Sequence, residues 1–131
     1  MNQAIHFKTS LFDVAAEREN PINPIYGLSL LEWLQSESLA ELTFAKPEPE
    51  DWGWYCKIYF EGKSYLIGSC ALLEVGEKQE GEVEWVLQVV KHRSFYDKLL
   101  GREKMDASDP CCRYFMNLFE SRPEFKDVQL G

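Results

Sequence analysis

The sequence predicts an α+β domain: one antiparallel sheet of about four to five strands with three helices packed against it. Three observations carry that expectation. Residues Trp52 to Phe60 alternate strictly, with Trp52, Trp54, Cys56, Ile58 and Phe60 on one face and Gly53, Tyr55, Lys57 and Tyr59 on the other. Val83 to Lys91 is apolar on both faces, which marks a central strand covered on both sides or a strand at a dimer interface. The last third carries two helix-start signatures, Ser94-Phe95-Tyr96-Asp97 and Asp109-Pro110.

Along the chain, Ala4–Val14 reads as an extended arm or strand with Ile5, Phe7, Leu11 and Phe12 as core contacts. Glu19 to Pro24 holds two X-Pro steps, each of which pushes the preceding residue out of the helical region, so it is an ordered turn or loop. A helix follows, entered at Gly27 or Ser29, with Leu28, Leu31, Trp33, Leu34 and Leu39 at spacings of three and four. Ala45 to Asp51 alternates two prolines with like charges and is expected to be irregular. Glu61-Gly62 closes a hairpin between Trp52–Phe60 and Ser64–Glu74. A two-residue loop sets Phe60 opposite Lys63 and Cys56 opposite Ile67, which puts Cys70 on the other face and excludes a Cys56–Cys70 disulfide. Gly76–Glu82 makes the next turn. In the last third, Gly101 stops the first helix. Cys111, Cys112, Phe115, Met116, Leu118 and Phe119 form the stripe of the second, Arg122-Pro123 ends it, and Val128 and Leu130 suit a short final strand.

No linker or repeat divides the 131 residues, so residues 1–131 form one domain. With 45% hydrophobic and 27% charged residues the chain buries an ordinary core, which excludes disorder, collagen and coiled-coil arrays. The net charge of −8 disfavours nucleic acid and anionic lipid as partners. All of that excess lies in residues 1–82, with 14 acids against 6 bases; residues 83–131 hold 8 of each. Ser64 to Leu73, a central stretch free of charge, is ten residues long, against about 20 for a bilayer span. The start shows no basic segment followed by an apolar one, so a secretory signal is not expected and the compartment expected is the cytoplasm. The four cysteines then read as free thiols.

Candidate sites are few. Glu48, Glu50 and Asp51 precede Trp52 and Trp54, and carboxylates beside aromatic faces are what sugar sites use. The alternation puts both tryptophans on the face of Ile58 and Phe60, so the competing reading is an acidic loop feeding a core strand. Cys111-Cys112 sits in the first turn of a helix, where the dipole favours a thiolate, but Asp109 is adjacent and both cysteines fall in the apolar stripe. They read as core residues. His92 lies near Ser94 and Asp97, yet Ser94 is better used as a cap, and His6 has no partner. Lys91, Arg93, Lys98, Arg102 and Lys104 form a basic cluster suited to a phosphate or an acidic partner, although pairing with the surplus acids of residues 1–82 is the expected use. No phosphate loop, nucleophile elbow or metal-ligand spacing is present. No catalytic residue, metal or cofactor is therefore expected.

Glu50-Asp51-Trp52-Gly53-Trp54-Tyr55 and Lys91-His92-Arg93-Ser94, continued by Lys98-Leu99-Leu100-Gly101, resemble segments of small uncharacterised bacterial proteins of similar length. The resemblance implies a bacterial cytosolic origin and brings no activity or site with it. The function expected is non-catalytic recognition of a basic protein partner, in the manner of an inhibitor, adaptor or immunity protein. Its acidic surface would comprise Glu48, Glu50, Asp51, Glu77, Glu80 and Glu82, with Glu74 beside them. The alternative is a small-ligand or sugar-binding protein, or a hydrolase, with its site near Trp52, Trp54 and Glu48–Asp51. A homodimer built on Val83–Lys91 is compatible with either.

Overall fold

In the computed structural model, which describes residues 3–73, 77 and 79–131, the alternating segment folds as the sequence pattern requires. Strand β4 (Gly53–Phe60) and strand β5 (Lys63–Ala71) form a hairpin with Phe60 opposite Lys63 and Cys56 opposite Ile67. Glu61 (φ 48°) and Gly62 (φ 77°) both take the left-handed backbone that a two-residue primed turn needs. Cys56 faces the core while Cys70 lies on the opposite face, and all four cysteines are free. A Cβ added at Gly62 would meet nothing within 4 Å, so Gly62→Ala isolates the backbone cost of the turn. It is expected to destabilise by about 1 kcal/mol in urea denaturation, with the slope unchanged.

Strand β6 (Val83–Lys91) pairs with β5 on one edge and with strand β1 (Gln3–Thr9) on the other, so it is central. A final strand β7 (Lys126–Leu130) pairs with β1. The described residues make seven strands rather than four or five, all antiparallel: with β2 (Leu42–Phe44) at one edge the order is β2-β4-β5-β6-β1-β7, and β3 (Glu48–Glu50) pairs with β4 off that path. The two unexpected strands are short. Strand β2 pairs with Ile58–Phe60, and strand β3 pairs with Gly53–Tyr55. Together they follow one edge of β4. The segment Ala45 to Asp51 is therefore not wholly irregular. Pro49 is tolerated because β3 is an edge strand, where a missing N–H costs no ladder bond on the unpaired side. The expected end of the second strand at Glu74 and part of the turn at Gly76–Glu82 lie outside the described residues.

Two of the three α-helices among the described residues cover one face of the sheet; the short helix between them buries none of its residues. Helix α1 (Leu28–Glu37) buries Leu28, Leu30, Leu31 and Leu34. Its entry residue Gly27 supplies no side-chain cap; the Glu17 carboxylate accepts instead from the backbone N–H groups of Gly27, Leu28 and Ser29 and from the Ser29 hydroxyl. An anion thus meets the positive end of the helix from a distant loop. Leu39 does not extend the stripe, because the helix ends at Glu37 and leaves Leu39 74% exposed. Helix α2 (Phe95–Leu99) carries the expected capping box, Ser94 and Asp97 each accepting from the other's N–H at 3.1 Å. Helix α3 (Pro110–Glu120) is capped by Asp109 and buries Cys111, Cys112, Phe115, Met116 and Phe119. Phe7, Phe12, Trp33, Phe119 and Phe125 form an aromatic cluster with centroids 4.5 to 6.4 Å apart.

Among the described residues no helical layer covers the other face of the sheet. It presents exposed Lys57, Tyr59 and Gln88 and half-buried Leu66, Val86 and Val90. The two-sided apolar character of β6 therefore reflects a central strand covered by helices on one side alone. Both of its edges are paired, so self-association through β6 would have to use Val86 and Val90.

Candidate functional site

Strands β4 and β6 both run against β5 and so start at the same end of the sheet. Glu48, Glu50, Asp51 and Glu82 belong to that end. The turn after β3 is held from outside. Asn20, itself buried, donates to the carbonyls of Glu50 (2.9 Å) and Gly53 (2.8 Å), and Asn23 donates to the carbonyl of Asp51 (2.7 Å). Among the described residues Glu48 and Asp51 form no ion pair, whereas Glu82 pairs with Lys126 at 3.2 Å. Glu77 and Glu80 lie in the exposed segment before β6, and Glu74 is outside the described residues.

The two tryptophans do not share a face. Trp54 is 1% exposed, in the core, with the Arg18 guanidinium 5.1 Å from its ring. Trp52 precedes the strand and is 38% exposed on the opposite side, its ring lying where a Cβ on Gly68 would stand, 2.4 Å from Cη2. Alternation fails there because β4 begins at Gly53, whose φ of +147° breaks the extended pattern. No pair of aromatic faces is left to sandwich a sugar at Trp52 and Trp54.

The basic cluster of the last third also pairs differently from expectation. Lys91 bonds Asp109 (2.9 Å) and Glu103 (3.1 Å), Lys63 bonds Glu103 (2.9 Å), and Arg102 approaches Asp97 at 3.6 Å. The acids are thus those of residues 83–131, not the surplus of residues 1–82, because α2 and the loop after it fold back on the end of β6. Asp109 is the hub: its side chain is 1% exposed and accepts from the Tyr65 hydroxyl (2.9 Å) and from the Cys111 N–H (2.9 Å). Burial alone would pull the Lys91 ammonium down, but the hydrogen bonds it donates to Asp109 and Glu103 outweigh it and hold its pKa above the ordinary lysine value. Burial and the Asp109 carboxylate push Tyr65 up, and hydrogen bonds from Lys63 and Lys91 hold Glu103 below the usual carboxylate range.

Neither catalytic arrangement considered from the sequence is assembled. Ser94 and Asp97 are occupied with each other, and His92 is tied through its backbone N–H to the Ser64 carbonyl. Cys111 and Cys112 are fully buried, and burial and then Asp109 push both thiols up, so the helix dipole is overridden. Cys56 is raised to about 12 by burial. Among the described residues no group of three His, Cys, Asp or Glu could hold a metal ion, and no helix is long and apolar enough to cross a membrane.

One concave site stands out, on the bare sheet face at the end away from Glu48–Asp51. It is a groove of about 850 Å³, running from β2 across Lys57, Tyr59, Leu66 and Val90 to Lys98 of α2. Among the described residues its lining includes Lys57, Lys91, His92, Arg93 and Lys98 and no carboxylate. Lys91 is engaged below it, and the Arg93 guanidinium donates to the carbonyls of Arg102 (3.0 Å) and Asp97 (3.3 Å). Lys57 and Lys98 pair with no carboxylate among the described residues. Sequence reasoning found Lys98 but missed Lys57 and Tyr59, whose outward position the alternation gave while leaving open whether that face was covered. Comparison with protein-family models, with curated proteins and with solved structures finds no match to this chain.

Proposed function

We propose that this protein works by binding rather than by catalysis, and that its acidic end recognises a basic protein partner. The observation that supports this reading most is the pre-ordered acidic turn. Asn20 and Asn23 fix the backbone that presents Glu48, Glu50 and Asp51, and a half-exposed Trp52 stands beside them on its Gly68 seat. Order already present in the free protein lowers the entropic cost of association, and an exposed tryptophan among unpaired charges is the usual make-up of an interface anchor. The acids would steer encounter and select the partner, while Trp52 would supply contact area. Glu82 contributes less, since Lys126 already meets it.

The test compares capture from the source cell's lysate by the native chain and by two variants. The triple reversal Glu48→Lys/Glu50→Lys/Asp51→Lys is expected to abolish retention of a basic protein that the native chain holds at low salt and releases at high salt. Trp52→Ala is expected to weaken retention at low salt at least tenfold, as loss of a hot-spot side chain does. Unchanged retention in the triple reversal removes the reading.

A further inference from the structure

We propose that the groove on the bare sheet face is a binding site for a small amphipathic anion: one anionic head joined to an apolar body. In a chain of net charge −8, the lining of this groove holds, among the described residues, four Lys and Arg residues and no carboxylate. Two of those cations, Lys91 and Arg93, are spoken for by Asp109, Glu103 and backbone carbonyls. Lys57 and Lys98 are not, and they come from different elements, β4 and α2, that both line the groove. Leu66 stands opposite Lys57 in the β4–β5 ladder and opposite Val90 in the β5–β6 ladder, both apolar residues half-buried, and the 53% exposed Tyr59 lines the same groove. A head held by Lys57 and Lys98 would place an apolar body on that strip and remove it from water. The volume, about 850 Å³, is that of a small-molecule site. A long polyanion fits poorly, because the Glu48–Asp51 end of the same sheet would repel it. The site is at the opposite end from the protein-binding face proposed above and does not depend on it.

The probe is anilinonaphthalene sulfonate, followed by fluorescence on the full chain. One saturable site is expected. Lys57→Gln/Lys98→Gln should weaken it roughly tenfold, the effect of losing two exposed charge contacts. Phenylnaphthylamine, the uncharged counterpart, should bind native chain and variant alike. Competition separates the sources of the apolar body: displacement by decanoate assigns an acyl chain, displacement by naphthoate an aromatic one, and displacement by neither overturns the proposal. Because helix α2 also exposes Phe95 and Leu99, the variant Phe95→Ser/Leu99→Ser is titrated in parallel. Loss of the probe in that variant, or no response to the lysine substitutions, also overturns it. The triple acidic reversal should keep the one-site stoichiometry, so failure of either reading is read separately.

Discussion

Replacing Asp109 with Ala is expected to destabilise the fold by about 3–5 kcal/mol, the cost of leaving a buried charge without its partner. The carboxylate is 1% exposed and meets the Lys91 ammonium, whose side chain is 10% exposed, at 2.9 Å. It also accepts from the Tyr65 hydroxyl and caps helix α3 through the Cys111 N–H. Asp109→Asn keeps a good cap but cannot neutralise Lys91, so it should lose most of the same stability. Lys91→Met in the Asp109→Asn background should restore part of it by removing an ammonium left with Glu103 alone. Urea denaturation of the three variants measures this, and a loss below about 1 kcal/mol in Asp109→Ala would contradict the hub assignment. The network also fixes a pH dependence. Lys91 and Tyr65 both hold their protons to higher pH in the folded chain than in the unfolded one. Their contribution is fully present below the unfolded values, near pH 10, and is lost as pH rises through the folded values. In Asp109→Ala the decline of stability above about pH 10 should be shallower.

Gly53→Ala is expected to cost about 3–5 kcal/mol, combining backbone strain with overpacking. A Cβ at Gly53 would stand 2.3 Å from the Ser69 carbonyl oxygen and 3.1 Å from the Cys70 Cβ, and the φ of +147° is one that side-chain-bearing residues rarely adopt. The backbone at Gly27 also crowds this carbonyl, since a Cβ added there would stand 2.3 Å from the same oxygen. The comparison with Gly62→Ala is the control, since that glycine faces open space. Equal losses at the two positions in urea denaturation would show that the close approach at Ser69 carries no weight. The same variant should change the fluorescence of Trp52, whose position depends on the turn that Gly53 makes.

Much of the fold was legible because its signals are local. The hairpin register follows from the Glu61-Gly62 turn and the alternation beside it, and the observed pairs Phe60–Lys63 and Cys56–Ile67 follow from that alone. The Ser94–Asp97 and Asp109-Pro110 caps are read within four residues and are found as read. Strands β2 and β3 were not legible. Each is three residues long, one contains Pro49, and both exist because β4 offers an unpaired edge that a short segment can satisfy.

The candidate site was less visible than the fold, for a related reason. Tyr65 and Asp109 meet across 44 residues of sequence, and Asp109 shows only its capping role to a local reading. Trp52 belongs by parity to the buried face of its strand, yet the strand starts one residue later and Gly68 leaves room for the ring on the other side. The sequence by itself determined the α+β class, the hairpin, the helix caps and the outward position of Lys57 and Tyr59. The tertiary structure decided which sheet face stays bare, which acids pair with the basic cluster, and that Lys57 and Lys98 border one groove. Local backbone preference and side-chain periodicity are set by neighbours a few residues apart. Coverage of a face and the meeting of distant charges are set by how the layers stack, which no short window of sequence contains.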